Sequence, residues 1–326
     1  MRIFLEPVKK LGQYDELIET IKDEKTMMLS GIADSDKAHL AWGVAQAFPG
    51  IQKVIITYSE LKAKSLLEEY SFYDKNVVYY PAKDFIFYNA DVHSNYIVEQ
   101  RMAAVRAVME QEELTVVTTI DALADKLVPI EYLSRTVLTL KETDVVDLEE
   151  WKTNLLRMGY ERYGQVETAG QFAIRGGIMD IFPFTAECPV RIELWDDEVD
   201  SIRAFDVSSQ RSIERMESVT IYPVTENPVT DRQLEEGIAK ISAELEAAVL
   251  RFKEQKLLEE AGRLTKVIGE ALEEIREQSG TGFLEKYITY FCDTPVSFVE
   301  YFKRDALFFL DEPDRISEKM SGVESE

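Results

Sequence analysis

Cysteine is nearly absent. Cys188 and Cys292 are the only two in 326 residues, too few and too far apart for a disulfide framework or a thiolate metal site. Histidine is as scarce: His39 and His93 cannot hold a metal by themselves and read as ordinary surface or core residues. No apolar run reaches the length of a membrane span, and the N-terminus, Met1-Arg-Ile-Phe-Leu-Glu, lacks the apolar core of a signal peptide. These absences together predict a protein of a reducing, cytoplasmic setting with no membrane partner and no cofactor. Basic charge is also in deficit. The 37 Lys and Arg residues face 61 Asp and Glu, a formal net charge of −24. A chain of that sign repels phosphate backbones, which argues against a self-sufficient DNA or RNA binder. Internal repeats and low-complexity linkers are missing too.

What is present is the material of ordinary globular cores. Apolar residues make up 45% of the chain and charged residues 30%, and the length suits two or three domains. The first part alternates in character. Strands are expected at Thr26–Ser30, Lys53–Tyr58, Val77–Tyr80 and Thr115–Thr119, and helices at Asp36–Ala47, Ser59–Tyr70 and Tyr96–Met109. Such alternation predicts βαβ units and a parallel sheet. After about residue 132 the pattern changes. A helix at Asp147–Met158 precedes short strand-like pieces at Gln171–Arg175, Ile178–Phe182, Val190–Trp195, Ser201–Asp206 and Ser218–Tyr222, broken by Gly-Gly, Phe-Pro and Asp-Asp-Glu. That is an antiparallel hairpin module with a helix. From Thr230 to Gln278 apolar residues recur at helical spacing, with a break or a packed partner expected at Gly237, Gly262 or Gly269. Finally Ala306–Leu310, an apolar run ending in Asp311-Glu312, has the form of a buried central strand of a parallel sheet. Its sheet is nearly three hundred residues upstream, so the α/β domain is expected to be discontinuous, with the hairpin module inserted into it.

The segment Gly31-Ile-Ala-Asp-Ser-Asp-Lys-Ala38 has the frame of a phosphate-binding loop between a strand and a helix. Such a loop needs a second glycine for close backbone approach, a lysine for the outer phosphates and a hydroxyl for magnesium. Gly31 and Lys37 keep their places, but Asp36 stands at the second glycine and Ala38 at the hydroxyl, and Asp34 adds another carboxylate. Two like charges about 4 Å apart at an effective dielectric near 20 repel by about 4 kcal/mol. The distant apolar strand with Asp311 and Glu312 has the form of a magnesium-holding element. Three readings stand: a decayed nucleotide site, an accident of spacing, or N-caps for a helix starting near Lys37 supplied by Asp34-Ser-Asp36.

In Pro189-Val-Arg-Ile-Glu-Leu-Trp195, strand alternation puts Val190, Ile192 and Leu194 on one face and Arg191, Glu193 and Trp195 on the other. Upstream, Phe172 and Ile174 share a face and Arg175 points away from it. If the two strands are neighbours, Arg175 and Arg191 flank one patch. A tryptophan among charges on the outer face is either an interface hot spot or the cover of a second small core.

Gly170-Gln-Phe-Ala-Ile-Arg-Gly-Gly-Ile-Met-Asp-Ile-Phe-Pro183, Val190-Arg-Ile-Glu-Leu-Trp-Asp-Asp-Glu-Val-Asp-Ser-Ile-Arg-Ala-Phe-Asp206, Ser209-Gln-Arg211 and Ile221-Tyr-Pro223 resemble the UvrB-homology module. The excinuclease protein UvrB and the bacterial transcription-repair coupling factors share that module, and a weaker similarity extends over nearly the whole chain. UvrB carries an intact phosphate loop, and a long DNA-clamping hairpin that has no room between Val77–Tyr88 and the helix at Tyr96–Met109. Both departures make the coupling-factor family the nearer resemblance. It implies a degenerate P-loop, helicase-like α/β domain in two parts, 1–131 and 223–326, around an inserted α+β antiparallel module, 132–222. It implies that this module recruits UvrA by imitating UvrB, through Arg175, Arg191, Trp195 and Glu193, with Arg203 and Arg211 nearby; UvrB has phenylalanine at the position of Trp195. It implies that the chain corresponds to the N-terminal part of such a protein, whose contacts with RNA polymerase and DNA, and whose translocase motor, lie outside it. The loop residues Gly31, Asp34, Asp36, Lys37 and Ala38, with Asp311 and Glu312, are then expected to be inactive and the chain to have no ATPase activity. The alternatives are a UvrB-type ATP-dependent damage-recognition protein and a purely structural or autoinhibitory domain.

Overall fold

The computed structural model describes residues 2–23, 26–83, 91–278 and 281–323. The chain packs into two compact units. The first draws on 1–86, 103–125 and 298–326, the second on 87–102 and 126–297.

The first unit opens with two short helices, α1 (Arg2–Lys9) and α2 (Tyr14–Lys22), and continues with α3 (Asp34–Ala45), β1 (Gln52–Thr57), α4 (Glu60–Tyr73), β2 (Val77–Tyr80), α5 (Asp91–Glu110, whose N-terminal part belongs to the second unit), β3 (Leu114–Thr119) and α6 (Ile120–Ala124). Its strands form a four-stranded, all-parallel sheet in the order β12-β1-β3-β2, where β12 is Leu307–Leu310. The central strands β1 and β3 are buried at every position, as strands covered on both faces must be. Trp42, Ala63, Leu66, Tyr70 and Val117 pack on one side of the sheet. The pairing of β12 with β1 joins the last stretch of chain to a sheet begun at residue 52, so the parallel sheet is discontinuous in sequence.

Three local expectations give way. Thr26–Ser30 forms no strand: no neighbouring strand takes up its hydrogen bonds, and Met28 stays 76% exposed. The strand β12 is an edge strand rather than a central one, with Phe308 and Leu310 turned outward. The helix α3 starts at Asp34, before Lys37, with Ala33 at its N-cap and no capping side chain; Asp34 and Asp36 lie inside its first turn, where a carboxylate favours the helix dipole. The expectation concerning 77–88 extends into residues 84–88, outside the described residues.

The second unit contains α7 (Ile130–Thr136), β4 (Leu138–Lys141), α8 (Leu148–Arg157), β5 (Glu161–Arg162), β6 (Gln171–Arg175), β7 (Ile178–Ile181), β8 (Val190–Trp195), β9 (Glu198–Phe205), β10 (Ser212–Met216) and β11 (Ser218–Ile221). After these come the helices α9 (Asp231–Glu254), α10 (Leu258–Gln278), α11 (Thr281–Lys286) and α12 (Ile288–Phe291). The chain then re-enters the first unit through a 3-10 turn (Phe298–Tyr301), β12 and α13 (Pro313–Val323). Six strands make one sheet in the order β10-β9-β8-β7-β6-β5, antiparallel except at β5-β6, and β4 pairs with β11. The inner face of the large sheet presents Phe172, Met179, Ile181, Val190, Ile192 and Ile202 to Leu155 of α8. Asp147 caps α8 by accepting from the backbone N–H groups of Glu149 and Glu150. The break in the long helical stretch falls at Lys256, which adopts a positive φ of 62°; of the three glycines, Gly237 has the expected packed partner, the ring of Phe291, and Gly262 and Gly269 have neither a break nor a neighbour within 4 Å of a Cβ.

Candidate functional site

The outer face of the β6-β7-β8-β9 sheet is set by two tight hairpins. Between β6 and β7 the turn is Gly176-Gly177. Gly176 has φ +60°, and a Cβ on Gly177 would stand 3.0 Å from the Leu194 carbonyl oxygen; the carbonyl of Gly177 accepts from the Leu194 N–H at 2.7 Å. Glycine here lets the turn lie against β8, since any larger residue meets that backbone. Between β8 and β9, Asp196 turns the chain with φ +61°, which leaves Trp195 at the rim, paired across the strands with Glu198 and 81% exposed.

The strands bearing Arg175 and Arg191 are separated by β7. The register places Asp180 of β7 opposite Arg191 of β8, which is opposite Arg203 of β9. Asp180 joins the two arginines. Its Oδ1 accepts from Arg191 Nε at 2.7 Å, and its Oδ2 accepts from Arg191 Nη2 at 2.9 Å and from Arg175 Nη2 at 2.6 Å. Asp180 is 1% exposed; a buried carboxylate is tolerated only when paired and fully hydrogen-bonded, and two guanidiniums meet that need. Arg191 Nη2 also donates to Gln210 Oε1 at 3.1 Å, and its guanidinium lies 4.5 Å above the ring centroid of Phe205, a cation–π distance. The bond to Asp180 holds the Arg191 guanidinium pKa above its ordinary value against the opposing effect of partial burial. Next to this group, Glu193 accepts from Ser201 Oγ at 2.9 Å and lies 3.8 Å from Arg203 Nη2. Arg211 sits apart on the exposed loop after β9, tied there through its carbonyl to the Asp206 N–H.

The structure therefore gathers Arg175, Arg191, Glu193, Trp195 and Arg203 on one face and leaves Arg211 at its margin. Alternation along β6 and β8 does not disclose Asp180, Phe205 and Gln210. The available signal for Asp180 was a single charge inside an otherwise apolar strand, Ile178-Met-Asp-Ile181; Phe205 and Gln210 depend on how the loop after β9 folds back.

The loop residues form a second cluster in the first unit. Gly31 has φ +76°. The Lys37 ammonium contacts Asp34 at 2.8 Å, Asp311 at 2.8 Å and Glu312 at 2.5 Å. Asp311, at the end of β12, also accepts from Thr57 Oγ1 at 2.9 Å, and Lys62 reaches Asp34 at 3.3 Å. Burial pulls the Lys37 pKa down, but hydrogen bonds to Asp311, Asp34 and Glu312 outweigh it and raise the pKa above the ordinary lysine value. Asp34 and Glu312 are lowered, each chiefly by its bond to Lys37. Asp36 is exposed and the methyl of Ala38 is buried in the core beside Trp42. Among the described residues no group of three or more His, Cys, Asp or Glu is placed to hold a metal ion, and no helix is long and apolar enough to cross a membrane.

Comparison with known proteins matches residues 138–226 to the family described as the UvrB interaction domain. The chain is 29% identical over 322 residues to the transcription-repair-coupling factor of Bacillus subtilis (strain 168), which covers 98% of this chain and 27% of that protein. It is 29% identical over 329 residues, with the same coverage, to the transcription-repair-coupling factor of Staphylococcus aureus (strain USA300). Against the UvrABC system protein B of Thermosipho africanus (strain TCF52B) it is 31% identical over 262 residues, 78% of this chain and 39% of that protein. The chain thus carries a UvrB interaction domain and is similar along nearly its whole length to transcription-repair coupling factors, while spanning about a quarter of the length of these relatives.

Proposed function

We propose that this chain is a docking module that binds UvrA through the outer face of its antiparallel sheet, as UvrB does, and so brings excision repair to a stalled transcription complex. The observation that carries the reading is the pair Arg175 and Arg191, braced on Asp180 beside the exposed Trp195, within the segment matched to the UvrB interaction domain. Guanidiniums with donors left over recognise carboxylates in fixed geometry, and an exposed indole next to them is the composition of a binding hot spot. In a longer protein of this type, contacts with RNA polymerase and DNA belong to other parts.

The reading includes no ATPase activity of this chain. Lys37, the residue a phosphate would need, is held by three carboxylates, and an anion brought to it meets their repulsion.

Calorimetric titration of the chain with UvrA tests the docking reading. Saturable binding is expected, and Arg191→Ala or Trp195→Ala is expected to weaken it at least about thirtyfold, about 2 kcal/mol. A folded wild-type chain that does not bind UvrA rules the reading out.

A further inference from the structure

We infer that Asp180 is a positioning residue, the shared counter-ion that holds Arg175 and Arg191 in their docking geometry before any partner arrives; the inference rests on the docking reading above.

The chemistry of the carboxylate points this way. Asp180 is buried at the centre of the outer face, and both of its oxygens are used, with Oδ2 accepting from two different arginines. One guanidinium would neutralise its charge. The second sets the spacing of two side chains that come from strands two places apart in the sheet. Arg191 is fixed from three sides: below by the Phe205 ring at 4.5 Å, laterally by the Asp180 fork, and from the loop by Gln210. Gln210 is itself held, at φ +57°, by donation of its Nε2 to the Val207 carbonyl at 2.8 Å. That loop is closed by the Asp206 carboxylate, which accepts from the Ser209 N–H and hydroxyl. The bonds to Asp180 occupy Nε and Nη2 of Arg191 but only Nη2 of Arg175. Each guanidinium therefore keeps an Nη1 group with its hydrogens, and the trio keeps a net charge of +1 in a chain of net −24. Long side chains ordered in advance lose less freedom on association, so the brace raises affinity without touching the partner.

Asp180→Asn tests this in the whole chain, because it keeps the shape and removes the charge that orders both arginines. Without a partner, the Arg191 Nε–H resonance should be resolved and slow to exchange in the wild type, and broadened or lost in the variant. With UvrA, the variant should bind about tenfold to a hundredfold more weakly. Added to Arg175→Ala plus Arg191→Ala, it should cause no further loss, since Asp180 acts only through those two side chains. A wild type that binds UvrA alongside an Asp180→Asn chain that binds equally well overturns the inference, as does an extra loss in the triple variant. Absence of wild-type binding overturns the docking reading instead, and the Nε–H resonance then decides by itself whether Asp180 orders Arg191. If Asp180→Asn does not fold, Asp180→Ser replaces it as a smaller uncharged residue that likewise removes the shared counter-ion, with the same outcomes.

Discussion

Lys37 shows at the residue scale how a phosphate-loop frame can serve the fold instead. Asp34 and Glu312 are largely exposed, so solvent screens their pairs with Lys37. The weight falls on Asp311, 7% exposed in its side chain, whose Oδ1 pairs with the Lys37 ammonium and whose Oδ2 accepts from Thr57. Lys37→Met strands that carboxylate and is expected to cost about 2 kcal/mol of stability at pH 7. The pH dependence follows from the shifts. Asp34 and Glu312 have folded pKa values below their ordinary 3.8 and 4.5, so their contribution is in place above those values and is lost as the pH falls through the lower folded ones. Lys37 is raised above its ordinary 10.5, so its contribution is complete below 10.5 and is lost only in stronger base. The cluster is therefore at full strength between about pH 4.5 and 10.5. In the variant, acid protonates the stranded carboxylates and relieves their repulsion. Its deficit against wild type should narrow as the pH falls through 4.5 toward 3.8. Denaturant unfolding curves at pH 7 and pH 4 measure this, and a deficit that widens in acid contradicts the account.

Helices α9 and α10 show at the scale of elements that glycine has no single meaning. A Cβ on Gly237 would stand 2.1 Å from the Phe291 ring of α12, so the glycine is there to let an aromatic ring lie on the helix. Gly237→Ala should destabilise the protein by about 1–3 kcal/mol through overpacking. Gly269 has nothing within 4 Å of such a Cβ, and Gly269→Ala should stabilise α10 by about 0.5–1 kcal/mol. Thermal unfolding of the two variants checks the opposite signs. The same residue type read along the sequence gives one expectation for both positions. Only the packing of α12 separates them, because Phe291 lies far from Gly237 along the chain.

For the whole molecule the relevant contrast is between a net charge of −24 and the proposed docking face, where Arg175, Arg191 and Arg203 outnumber Asp180 and Glu193. Long-range attraction for an acidic partner patch is weakened by the surrounding charge, while the contact itself is cationic. Binding to UvrA should therefore weaken on raising the salt from about 0.05 to about 0.5 M, as charged contacts are screened; salt-independent affinity would place the energy in Trp195 alone. Magnesium and ATP at millimolar concentration should leave the unfolding temperature unchanged, since a ligand that binds the folded state at micromolar affinity would raise it measurably. A rise in unfolding temperature would return the loop around Lys37 to the class of working nucleotide sites.

Periodicity along the chain carries the alternation of strands and helices, the parallel sheet to which β12 returns, and the outward face of Arg191, Glu193 and Trp195. Neighbouring residues impose that periodicity on one another, so it can be read before the chain is folded. Pairing is different, because it depends on what stands alongside. That 26–30 forms no strand and that β12 lies at the edge of its sheet emerge only from the packed molecule. So do the place of β7 between the strands of Arg175 and Arg191, the Asp180 carboxylate that joins them, and the closure of Lys37 by carboxylates from the far end of the chain. Hydrogen bonds and ion pairs between residues distant along the chain leave no period in the sequence; they exist once folding has brought the charges into contact.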